Sequence, residues 1–135
     1  MNSKPVLSAS DVDAMIAAAK AHAVAKGWAV TISVVDDGGH LLGLTRLDGA
    51  APISAHISPA KAHTAALGQR ESGGYEKMIN EGRVAFLSAP QLAGMLEGGM
   101  PILVDGQVVG AMGVSGAKPN EDVEIARAGM AALNA

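Results

Sequence analysis

Two short turns constrain this chain more than any other feature of its sequence. Asp36-Asp37-Gly38-Gly39 follows a stretch in which Val30, Ile32 and Val34 alternate with Thr31 and Ser33. Asp105-Gly106 sits inside MPILVDGQVVGAMGVSG. Asp-Gly and Gly-Gly pairs supply the backbone conformations of tight hairpins, and alternation at period two marks a strand with one buried face. The first turn therefore joins the Val30–Val34 run to a returning strand over His40 to Leu47, which Asp48-Gly49 ends. The second makes another hairpin, whose later strand contains Gly110 and Gly113. Glycines inside a strand mark close approach by another backbone or a ligand. Two hairpins mean antiparallel pairing, and helical segments flank both, so the spacing predicts one α+β domain over residues 1–135.

The helical segments follow from apolar periodicity and stop signals. Ser10 with Asp13 forms a capping signal, after which Val12, Met15, Ile16, Ala19 and Ala23 recur at helical spacing until Gly27. His22 lies on the flank of that stripe and reads as a solvated surface residue. Between the hairpins, Ile53, Ile57, Ala60, Thr64 and Leu67 fall on one face of a helix over residues 50 to 70. Pro59 predicts that this helix is continuous but bent. Tyr75 to Glu81 predicts a short helix ended by Gly82. Ala89-Pro90 opens another, with Leu92, Met95 and Leu96 inward. Pro119 to Leu133 predicts the last, with Glu121, Asp122 and Glu124 near its positive end.

Composition removes several classes of function. The net charge is −3, there is no basic run, and the aromatic residues are Trp28, Tyr75 and Phe86 alone. Nucleic-acid binding needs a positive surface and stacking platforms, so none is expected. No apolar run approaches the roughly 20 residues that span a bilayer, and MNSKPVLSAS lacks a leader's apolar stretch. A cytoplasmic protein without membrane partners is the expectation. The absence of cysteine excludes disulfides, thiolate metal sites and a cysteine nucleophile.

HISPAKAH, residues 56 to 63, holds two of the four histidines together with Lys61. His56 and His63 differ by about 20° around a helix but by roughly 10 Å along it, which argues against one metal ion held by both. Lys61 lies about 140–160° away from either, and Thr64 faces inward. No metal site is expected. His40 and Arg46 share a strand face roughly 20 Å apart. Arg46 lies beside the next helix start and is the better group for gripping a carboxylate, with a surface ion pair to Asp48 or another acid as the alternative. Walker, dinucleotide-binding and nucleophile-elbow patterns are absent.

Four ordered motifs carry a resemblance. VVDDGGHLLGLTRLDGA, KAHTAA, GGMPILVDGQVVGAMGVSGA and EDVEIARAG together resemble the GlcG/HbpS family over residues 8 to 134. The matching positions include Asp36, Gly38, Gly39 and His40, then Arg46, Lys61, Thr64, Gly98, Gly99 and Gly113; His56 and His63 lie outside that signature. The resemblance implies a profilin-like fold with a five-stranded antiparallel sheet and flanking helices. It also implies a homo-oligomer, from dimer to octamer, and for some members haem binding or degradation.

Two functions are compatible with this reading. One is a small-ligand-binding protein for haem or a similar anion. His56 or His63 would supply an axial ligand, with His40, Thr64, Gly98, Gly99 and Met100 lining the site; Met95 and Met112 add soft apolar contacts. The other is a cofactor-free isomerase, tautomerase or hydrolase acting on a small organic acid of a catabolic pathway. There Arg46 and the Gly98-Gly99 amides would bind a carboxylate and Lys61 would move a proton. A structural ion pair is the alternative role for Lys61.

Overall fold

The computed structural model describes residues 1–134. In chain order it contains α1 (Ala9–Lys26), β1 (Thr31–Asp36), β2 (Leu41–Arg46), α2 (Ser54–Gly68) and α3 (Ser72–Asn80). A 3-10 turn (Val84–Ser88), β3 (Gly99–Val104), β4 (Gln107–Ser115) and α4 (Pro119–Ala131) follow. The strands form one antiparallel sheet in the order β2-β1-β4-β3. Both hairpins form at the turns the sequence marks. The sheet has four strands among the described residues, not the five that the resemblance implied: the chain between β2 and β3 is taken up by α2, α3, the 3-10 turn and irregular backbone.

Each face of the sheet is covered. α2 packs across β1, β3 and β4, while α1 and α4 pack against one another and on the sheet. The alternation of β1 divides its side chains between two layers. Ile32 and Val34 join Met15, Ala19, Met112, Val114 and Ile125 in the main core. Val35 packs with Ala62, Ala65, Ala66 and Ala111 in a smaller one. Thr31 and Ser33 are buried as well, so the expectation of one solvated face for this strand fails. They face α2, where Thr31 Oγ1 lies 2.7 Å from Ser54 Oγ and Ser33 Oγ lies 2.7 Å from Ser58 Oγ. Ser58 Oγ also donates to the Gly113 carbonyl at 2.8 Å. Buried hydroxyls cost little when each has a partner.

α2 is one continuous helix through Pro59; Thr64 is buried as expected, but the buried face is rotated away from Ile53 and Leu67 at the two ends of the apolar stripe. It buries Ser54, Ser58, Lys61, Ala62, Thr64, Ala65 and Ala66. Ile53 is 59% exposed and Leu67 40% exposed. The reason is close approach: a Cβ at Gly113 would collide with the Ser58 carbonyl oxygen. Only small or polar-paired side chains fit the gap, which leaves the larger apolar residues outside.

Local signals placed other boundaries with small errors. The α1 cap is Ser8, which accepts from the Asp11 amide at 3.1 Å while Asp11 accepts from the Ser8 amide at 2.8 Å. The capping box therefore sits two residues before the expected Ser10 and Asp13. Gly27 ends α1 in the left-handed conformation, φ 73°. His22 is half-buried and lies 2.7 Å from Glu124 of α4, so it ties two helices together. α3 begins earlier than expected, and α4 ends at Ala131 before turning into a short 3-10 segment. The helix expected after Ala89-Pro90 does not form. Residues 89–98 run irregularly because Gly94 sits directly on the α2 backbone at Ala60, where any side chain would collide. Thr64 Oγ1 accepts from the Gly94 amide at 3.1 Å. Met95 is buried as expected, whereas Leu96 is 46% exposed.

Candidate functional site

The β1–β2 turn and the middle of α2 meet at His63. Its Nδ1 lies 3.0 Å from the Gly39 carbonyl oxygen. A carbonyl can only accept, so Nδ1 carries the proton, and the neutral ring then presents the Nε2 lone pair. Gly39 is required there twice over. Its φ is +81°, and a Cβ would lie 2.5 Å from His63 Nδ1. His63 lines a groove of about 480 Å³ with Ala60, Leu87, Gln91, Leu92 and Ala93. His56 is exposed on the same helix, two turns earlier, and borders none of the grooves described here.

His40 is anchored to the same turn from the outside. Its side chain is 81% exposed, and Nδ1 lies 3.1 Å from Asp36 Oδ1. Asp36 Oδ1 also accepts from the Gly38 and His40 amides, each at 2.9 Å. Partial burial opposes ionisation of Asp36, but these amides and the His40 side chain outweigh it and hold its carboxyl below the usual range. A depressed carboxyl pKa stabilises the fold above the unfolded-state value, and that stabilisation is lost as pH falls through the folded-state value. The turn that orients His63 is therefore expected to loosen in acid. Asp36→Ala should flatten the fall in thermal stability between about pH 5 and about pH 3, measured by circular dichroism.

Lys61 points away from this groove. Its side chain is 6% exposed, and Nζ donates to the Val114 carbonyl at 3.0 Å and to Asp122 Oδ2 at 3.1 Å. Asp122 Oδ1 accepts from the Ala117 amide at 3.0 Å. Burial pushes the Asp122 carboxyl up by more than the Lys61 charge and the Ala117 amide lower it. The pair clamps α2 to the first turn of α4. Gly98 closes over it, since a Cβ there would lie 2.7 Å from Lys61 Nζ.

Gly98, Gly99 and Met100 line a different cleft, of about 400 Å³, with Lys77, Asn120 and Arg127. The Gly99 amide already donates to Ser72 Oγ at 2.8 Å, and Thr64 is occupied by Gly94. Arg46 is exposed and lines a third cleft, with Lys20, Trp28 and Asp48. It forms no ion pair among the described residues, with Asp48 or otherwise.

Arg46, Lys61 and the Gly98-Gly99 amides thus border no common cleft, and a lysine held by a carboxylate under Gly98 is not placed to exchange protons with a substrate. The small-acid enzyme loses its arrangement. Sequence reasoning did not find Asp122 as the partner of Lys61, nor Trp28 and Lys20 beside Arg46. The acidic start of α4 was the only signal for the former. Among the described residues, no three His, Asp or Glu side chains cluster to hold a metal ion, and no helix is long and apolar enough to cross a membrane.

Comparison with known proteins gives a consistent result. Protein GlcG of Escherichia coli K12 is 56% identical over 115 residues, covering 85% of each chain. The crystal structure of Klebsiella pneumoniae protein ORFY superposes with a TM-score of 0.90 at 30% identity, covering 100% of this chain and 97% of that one. A double mutant of HbpS from Streptomyces reticuli gives 0.86 at 30% identity, over 97% and 89% of the two chains. The PduOC:haem complex gives 0.86 at 27%, over 95% of each. Residues 7–131 match the family described as "Haem degrading protein HbpS-like", and the chain belongs to that family.

Proposed function

We propose that this protein binds haem in the groove beside His63, whose Nε2 would hold the iron. Family membership and the relative solved with haem supply the ligand class. The observation that carries the residue is the Nδ1–Gly39 hydrogen bond. An imidazole that donates from one nitrogen to a backbone carbonyl is fixed in tautomer and orientation, and its other nitrogen is more basic toward a metal. One neutral imidazole suffices for haem iron, and Ala60, Leu87 and Leu92 offer the apolar surface a porphyrin face needs. Bound haem would supply an iron centre of redox and ligand-exchange chemistry. The protein's own part is to present the imidazole and to shield one side of the ring.

Titration of haem into the purified protein, followed at the Soret band, tests the assignment. Saturable binding is expected in the wild type, unchanged in His56→Ala and weakened at least about tenfold in His63→Ala, the loss of about 1.4 kcal/mol or more of ligation energy. Equal affinity in His63→Ala and the wild type would place haem elsewhere.

Self-association is part of the proposed function. β2 is an open sheet edge without a charge before Arg46, and its Leu41, Leu42 and Leu44 are 55%, 43% and 37% exposed. The opposite edge, β3, carries Pro101, which removes a ladder donor. An apolar, unblunted edge suits pairing with a second copy.

A further inference from the structure

The chain's single tryptophan stands just past the end of α1, among unpaired cations. Trp28 is half-buried and lines a cleft of about 360 Å³ with Val24 and Lys20 of α1 and with Arg46 and Asp48 at the end of β2. Lys26 Nζ lies 5.8 Å from the indole centroid. Lys20 and Arg46 thus line the cleft with the indole, and Lys26 lies near the ring outside the cleft lining, in a chain of net charge −3. Among the described residues none of the three is in an ion pair. Asp48 is the one acid that lines the cleft. Glu124, the acid near His22 and Lys26, is taken by His22 at 2.7 Å.

The local field therefore favours an anion, against the sign of the whole protein. The walls favour a flat ring: an indole on one side and Val24, 62% exposed, beside it. Aromatic faces stack with gains beyond the area they bury, and a guanidinium grips a carboxylate through paired N–H donors. We propose that this cleft binds an aromatic carboxylate, its ring against Trp28 and its carboxylate on Arg46 and Lys20. The site is separate from the groove at His63.

Because Trp28 is the only tryptophan, its emission reports on this cleft alone. The experiment titrates benzoate, benzamide and acetate into the full-length protein and follows that emission. Saturable change with benzoate is expected, with benzamide and acetate at least about tenfold weaker, since the first lacks the charge and the second the ring. Arg46→Ala and Lys20→Ala, both at exposed positions, should each weaken benzoate about tenfold, and His63→Ala should leave it unchanged. Benzamide matching benzoate, a linear response without saturation, or full affinity in both cation variants would overturn the proposal. Haem binding retained in Arg46→Ala keeps the two sites distinguishable whichever of them fails.

Discussion

Lys61→Met is expected to destabilise the protein by about 3–5 kcal/mol at neutral pH, more than any other single side-chain truncation named here. Lys61 Nζ and Asp122 Oδ2 are 3.1 Å apart, and both side chains are almost fully buried. Removing the lysine leaves a carboxylate without its counter-charge, in a place where water cannot replace it. The pH dependence follows from the sign. Burial already holds the Asp122 carboxyl above its ordinary value, and Lys61 is the principal group pulling it down. Without Lys61 it rises further, so the variant gains stability in acid through a protonated Asp122 and loses it as pH rises through the folded-state value. Chemical denaturation at about pH 4 and about pH 7 should show the penalty growing with pH. Adding Asp122→Asn should restore most of the loss, because the amide oxygen still accepts from Ala117 and no charge remains. A penalty below about 1 kcal/mol, or one equal at both pH values, would show that the pair is not the clamp described.

Gly113→Ala should be nearly as costly, about 3 kcal/mol and roughly 10 °C in midpoint. The new methyl group would meet the Ser58 carbonyl oxygen and the Ala62 amide, both backbone atoms of α2, and neither can swing aside like a side chain. The helix must lift from the sheet, which weakens the Ser58–Gly113 and Ser33–Ser58 hydrogen bonds together. Thermal melts of this variant beside Gly106→Ala separate packing from backbone freedom. Gly106 has φ +77° but open space around its missing Cβ, so its substitution strains the turn without displacing α2. Similar losses in the two would contradict the close-approach account.

How much of this was legible in the sequence depended on how local the cause was. Both hairpins were, because Asp36–Gly39 and Asp105–Gly106 dictate turn geometry within four residues. The stop at Gly27 was legible for the same reason. The α2 face was not. Ile53, Ile57, Ala60, Thr64 and Leu67 suggested one buried stripe, and Thr64 is buried, but the rest of the buried face was decided by Gly113, which lies far along the chain and admits only small neighbours. Thr31 and Ser33 looked solvated until Ser54 and Ser58 arrived opposite them. Lys61 carried two open roles in the sequence; its partner Asp122 is 61 residues away, and only the fold brings them together. His63 was named for its chemistry, but its tautomer depends on the Gly39 carbonyl, which no spacing rule connects to it.

If His63 Nε2 meets haem iron, chemical rescue of a variant without the imidazole shows it. His63→Gly removes the imidazole and leaves a gap beside Gly39 that free imidazole can enter. The absorption spectrum of the ferric haem complex of His63→Gly should differ from that of the wild type and return to it on adding imidazole, while His56→Gly stays wild-type throughout. A His63→Gly complex whose spectrum already equals the wild type, with no response to imidazole, would contradict the assignment.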